Sequence, residues 1–177
     1  MQRQPGALTL SEDDRRVLAA WAADCAERAL PMFDRQAPSD TRPRDALEGA
    51  RTFARGELRI GPARTLARAA HAAARAVADP AAVAAARAAG HAVATAHMAS
   101  HARGAPAYAA KAAALAAPDD PAAVANEIRW ALRHATPAVL DALRRLPPPV
   151  RPAGILGAVI SEIHTGVTKA GPSKPDE

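Results

Sequence analysis

Residues 63–117 read ARTLARAAHAAARAVADPAAVAAARAAGHAVATAHMASHARGAPAYAAKAAALAA. Alanine is the strongest helix former and a poor strand former, so this stretch predicts closely approaching helices and no sheet. Leu66, Ala70, Ala73 and Val77 mark one face of a helix that ends at Asp79-Pro80, because the residue before proline is pushed out of the helical region. A second helix is expected from Ala81 to about Ala102 and a third over residues 105–116, with Gly104 and Pro106 as punctuation. Arg, His, Asp and Lys interrupt the stretch too often for it to cross a bilayer.

The same reading extends in both directions. On the N-terminal side, Ser11 is a natural cap with Glu12, Asp13 and Asp14 in the first turn, where the helix dipole favours them. That helix should reach about Leu30, with Leu18, Trp21 and Cys25 as its apolar side and a short continuation from Pro31 through Phe33. After a loop over residues 37–41, Asp40 or Thr41 can cap a helix with Pro43 in its first turn, turning Leu47, Ala50 and Phe53 inward before Gly56. On the C-terminal side, helices are expected over residues 120–134 and 137–146, the second capped by Thr136. Pro147, Pro148 and Pro149 make a stiff link, beyond which Ile155, Leu156, Val159, Ile160 and Ile163 repeat at amphipathic spacing. This last helix must bury its face, on the same core or on another chain, and residues after Gly166 read as a polar tail.

The expectation is an all-α protein: a compact bundle of about seven or eight short Ala-rich helices. Its organisation is an all-helical unit over residues 1–146, then a link, helix and tail over 147–177. A length of 177 residues suits one core. The chain is 49% hydrophobic but only 3% aromatic, so that core must be tight and not bulky. One cysteine, Cys25, leaves no internal disulfide, and the N-terminal MQRQPGALTLSEDD has no continuous apolar signal segment, so a cytoplasmic location is expected. The net charge of +5 is carried almost wholly by arginine, with lysine only at positions 111, 169 and 174. It permits acidic partners without identifying one.

Several groups could carry chemistry. His91, His97 and His101 fall in one expected helix, the last two four apart and hence one turn from each other, a spacing that can hold a metal. The intervening Met98, Ala99 and Ser100 lack the glutamate base of the helical zinc proteases, and hydrogen-bonded structural histidines are the plainer reading. Arg64, Arg68, His71 and Arg75 form a stripe suited to an acidic protein surface or phosphates, or simply a solvated face. The segment Asp40-Thr41-Arg42-Pro43-Arg44-Asp45 reads either as a binding loop or as a cap with ion pairs. Tyr108 and Lys111 stand out among alanines and can line a shallow pocket. Cys25, beside Asp24 and Glu27 and one turn after Trp21, reads as core. No Gly-x-Ser-x-Gly elbow, phosphate-binding Gly-Lys loop or dinucleotide glycine pattern occurs.

Four segments together resemble the Imm-five-like family of immunity proteins. They are WAADCAERALPMF (residues 21–33), PSDTRPRDALEGARTFARGE (38–57), ARAAHAAARAVADP (67–80) and ARAAGHAVATAHMASHARGAPAYAAKA (86–112). The pairing of Asp-x-Arg-Pro-Arg with Gly-His-Ala-x-x-Thr-Ala-His carries the resemblance beyond the alanine background, and it fades after about Arg145. It implies an all-helical cytoplasmic bacterial protein, without cofactor or catalysis, whose partner is a cognate toxin protein. The expected partner surface comprises Asp40, Arg42, Arg44, His71, Arg75, His91, His97, His101, Tyr108 and Lys111, with no membrane or nucleic-acid partner. The rival is a metal- or small-molecule-binding helical enzyme built on His71, His91, His97 and His101. A nucleic-acid-associated protein using the arginine stripe is a third reading.

Overall fold

Ser11 opens the first helix as its chemistry requires. Its Oγ accepts from the Asp14 backbone N–H at 3.1 Å, and the Asp14 carboxylate accepts from the Ser11 backbone N–H at 3.2 Å, closing a capping box. From there the computed structural model, which describes residues 10–150 and 153–170, contains only helices among the described residues. They are α1 (Glu12–Glu27), α2 (Leu30–Gln36), α3 (Arg42–Ala54), α4 (Ile60–Ala76), α5 (Pro80–Ala94), a 3-10 helix (Ala99–Arg103), α6 (Gly104–Ala116), α7 (Ala123–Arg133), α8 (Pro137–Arg145) and α9 (Ile155–Lys169). Asp79 and Thr136 cap α5 and α8 through their side chains, accepting from Ala82 N–H at 2.8 Å and Val139 N–H at 3.3 Å. Among the described residues, no helix is long and apolar enough to cross a membrane.

The helix count exceeds the expected seven or eight because the chain breaks at residues 28–29, making the segment around Pro31 a separate helix. The helix expected to run from Ala81 to Ala102 also stops at Ala94. Thr95, fully buried, turns its hydroxyl back onto the His91 carbonyl at 3.2 Å, and the chain reverses through Met98 into the 3-10 helix. The reversal lets α6 lie back along α5, a demand of packing that alanine propensity does not express. His91, His97 and His101 therefore do not share one α-helix. At the other end, α9 runs past Gly166 to Lys169. The stretch read for a signal segment falls partly on residues 1–9, and the end of the polar tail on 171–177, both outside the described residues.

The core is organised around α5, which packs against α1, α2, α3, α4 and α6 and buries 11 of its 15 residues. A helix buried on most of its circumference has to be central. Its alanines let neighbours approach closely, while the bulk comes from outside it: Leu18, Phe33, Leu47 and Phe53 are each at most 1% exposed. Trp21 donates its indole N–H to the Ala131 carbonyl at 3.0 Å, tying α1 to α7. Arg103, 4% exposed, donates to the carbonyls of Pro147 (2.7 Å) and Leu143 (3.2 Å), so the proline link is held by a buried guanidinium. The amphipathic face of α9 buries Val159, Ile163 and Val167 against the bundle. Burying such a side chain stabilises by roughly 1.5–3 kcal/mol.

Candidate functional site

On α4, Arg64, Arg68 and Arg75 are exposed, whereas His71, at the same helical spacing, is half-buried between α4 and α5. It fits there because the facing residue is Gly90, where a Cβ would come within 2.7 Å of the His71 Cε1. Gly104, the first residue of α6, makes the same allowance for His91, whose Cγ would lie 2.8 Å from an added Cβ. Two glycines in an alanine background thus make room for two imidazoles.

The rings then follow one another in contact. His71 meets His91 edge to face at 5.6 Å between centroids, His91 meets His101 at 4.9 Å, and His101 meets His97 at 5.5 Å. Tyr108 on α6 lies over His91 at 5.0 Å. The Nδ1 atoms of His91 and His101 are 3.1 Å apart, so one carries the proton and donates to the other. Burial drives the His91 pKa down to about 3, aided by His101, His71 and Arg87. Burial, with His97 and His71, drives His101 to about 4. His71 is lowered by burial and by Arg87 and Arg75, and His97 by burial and by Arg64 and Arg68. At neutral pH the cluster is uncharged. Among the described residues, no group of three or more His, Cys, Asp or Glu is placed to hold a metal.

Around these neutral rings stand cations without partners. Residues 58–118 contain seven Arg and Lys but a single acidic residue, Asp79, and Asp79 spends one carboxylate oxygen on capping α5. Among the described residues, Arg64, Arg68, Arg75, Arg87 and Lys111 make no ion pair, while the remaining surface cation of this segment is Arg59 at the α4 N-cap. Two depressions open between them. One of about 340 Å³ is lined by Arg64, Arg68, His71, His97 and His101. The other, about 570 Å³, is lined by Arg87, Tyr108, Lys111, Pro80 and Val83. His91 joins the two, touching His71 and His101 on one side and Tyr108 on the other.

The remaining expected site residues sit in a different setting. Arg42 forks onto Asp40 at 2.8 and 2.5 Å, and Arg44 reaches Asp34 at 2.7 Å. The Arg42 guanidinium holds the Asp40 carboxyl below its ordinary range. Thr41 donates its hydroxyl to Asp45 at 2.8 Å and does not cap α3 with its side chain. These residues make their hydrogen bonds with one another and Asp34, and none with the histidines. Cys25 is buried, and burial with Asp24 and Glu127 pushes its thiol well up, away from nucleophilic use.

Arg87 is the member of this face that motif reading missed, and Arg64 and Arg68 stood in the stripe without being assigned to the site. The signal that finds them is the 61-residue run with one acidic residue, together with glycines beside histidines in a sequence that otherwise uses alanine. Residues 8–138 match the family model described as Imm-5 like putative immunity protein. The match covers most of the chain, including every element of the face, and the chain belongs to that family. No curated protein and no solved structure matches it.

Proposed function

We propose that this member of the immunity family neutralises a bacterial toxin in the cytoplasm by binding it directly, with no cofactor and no catalytic step. The binding surface is the face built by α4, α5, the 3-10 helix and α6. Arg64, Arg68, Arg75, Arg87 and Lys111 supply charge, and His71, His91, His97, His101 and Tyr108 supply the rings between them. The observation that carries this reading is the set of unpaired cations surrounding the histidine cluster. A cation with no carboxylate of its own is free to meet an acidic partner without first breaking a bond. Arginine and tyrosine are also the side chains that most often anchor interfaces. Complementary charge speeds encounter and fixes orientation. Asp40, Arg42 and Arg44 contribute less in this proposal, because each guanidinium would have to leave a carboxylate of its own chain. Residues 1–146 carry the role, and α9 closes the bundle.

The test uses tagged wild-type chain and the Arg64→Glu/Arg68→Glu variant to capture partners from cells of the source bacterium. The proposal expects a protein that the wild type retains and the variant loses. That protein should arrest growth when expressed alone, and growth should return when the wild-type chain, but not the variant, is co-expressed. A captured protein that is harmless alone removes the immunity reading. Equal retention by the variant moves the surface elsewhere.

A further inference from the structure

The depression between α4 and the turn after α5 has a specific chemistry. Arg64 and Arg68 stand one helical turn apart on its rim, and the lining includes no carboxylate. Both guanidiniums lie close enough to His97 to depress its pKa, with burial the larger cause. The buried Nδ1 of His97 has no hydrogen-bond partner among the described residues. A buried ring nitrogen with no acceptor beside it is better left unprotonated, which puts the proton of the neutral ring on Nε2, the donor His97 can offer to the pocket it lines. His71 Nδ1 is also unpartnered, but that edge of its ring faces Gly90. The volume, about 340 Å³, falls at the small end of ligand pockets and admits one charged group with part of the molecule that carries it.

We infer that this pocket is an oxyanion site, in which Arg64 and Arg68 grip a phosphate or carboxylate group and His97 donates to it. Arginine presents planar pairs of N–H donors that match two oxygens of either group. An anion seated between the two guanidiniums offsets the repulsion they add to burial at His97, whose neutral ring already carries one N–H donor. The shared chemistry is a compact oxyanion, borne by a phosphorylated molecule or by an acidic side chain of a protein partner. The inference rests on the reading of this face as the partner surface only for that biological source, because the site itself is tested with no partner present.

The experiment titrates full-length protein, labelled at histidine, with inorganic phosphate and separately with acetate at low ionic strength, following the ring resonances by NMR. Saturable one-to-one shifts of His97 and His101 are expected. Arg64→Ala/Arg68→Ala should weaken binding by about tenfold or more, as loss of charge-assisted hydrogen bonds does. Arg64→Lys/Arg68→Lys, which keeps the charge, should retain part of it, and Arg133→Ala on α7 should bind as wild type. Saturation by phosphate supports a phosphate-bearing ligand and saturation by acetate alone supports a carboxylate, the site standing in both cases. Absence of saturation with either anion, or equal weakening by Arg133→Ala, overturns it. Toxin capture succeeding while both titrations fail would sink the oxyanion site and leave the partner surface intact.

Discussion

The arginines of α1–α3 and those of α4–α6 meet the solvent on different terms. In the first group, Arg16 pairs with Glu12 and Asp13, Arg28 forks onto Glu127 beneath the Trp130 ring, and Arg51 bridges Asp24 and Glu27. Arg55 takes Glu48 and Glu57, while Arg42 and Arg44 take Asp40 and Asp34; Arg15 donates to the carbonyls of Leu10 and Ala96, and exposed Arg35 is the exception, with no ion pair among the described residues. In the second group Arg64, Arg68, Arg75 and Arg87 have no such partner among the described residues. Each pair of the first group is worth little to stability, because water screens exposed charges and ordering two long side chains costs entropy. Its larger effect is to settle which part of the surface is already satisfied. The comparison teaches that a binding face can be located by where a chain withholds its own counter-charges.

Four measurements break or sharpen that contrast. The largest effect is expected from reversing charge on α4: Arg64→Glu/Arg68→Glu should weaken partner affinity by about a hundredfold, with the melting temperature near wild type. Arg51→Glu in the paired region should do the reverse, leaving affinity unchanged and costing about 1 kcal/mol or less in a denaturant titration. Next comes Gly104→Ala, whose methyl group must displace the His91 ring; it should cost about 2 kcal/mol by overpacking, and adding His91→Ala should recover much of it.

The third is pH. His91 and His101 have folded pKa values of about 3 and 4 against an ordinary 6.5, so between those limits the unfolded chain binds more protons than the folded one. Stability should therefore fall as pH drops from 6.5 toward 4, and level off below the folded values. The loss should be about 1–2 kcal/mol by pH 5, given the partial exposure of His101 and their shared proton. Replacing both histidines with asparagine should flatten that window. The paired region titrates lower. Asp14, held at about 2 by Arg145, contributes stability that is lost only as pH falls from about 3.8 toward 2. A denaturant midpoint that is constant between pH 7 and 5 would remove the neutral cluster from the picture. The smallest effect is expected from Arg42→Ala/Arg44→Ala: at most about a threefold change in partner affinity, since those guanidiniums are already engaged. A loss as large as that of the α4 reversal would place the loop inside the interface.

Much of the helical layout was legible because its signals are local. Ser11, Asp79-Pro80, Gly56 and Thr136-Pro137 end or begin helices through bonds made within a few residues. The spacing of Leu47, Ala50 and Phe53 identified a face that is in fact buried. The break after Ala94 was not legible. Alanine favours continuing the helix, and what overrides it is the return of α6 along α5, a contact between segments that periodicity does not encode. His97 and His101 were expected together for the wrong reason: they meet across a turn and a 3-10 helix, at 5.5 Å, and not one turn apart on α5.

Composition and local pattern by themselves determined an all-helical, alanine-packed chain, its principal capping points, and a middle third nearly free of acid, because helix propensity, capping and charge count are properties of neighbours in sequence. Only the tertiary structure decided that His71 on α4, His91 on α5, His101 on the 3-10 helix and Tyr108 on α6 lie in one line of rings. It also decided which arginines found a carboxylate and which did not. The line of rings depends on helices approaching across gaps set by single glycines, and that distance is fixed by packing of the whole bundle.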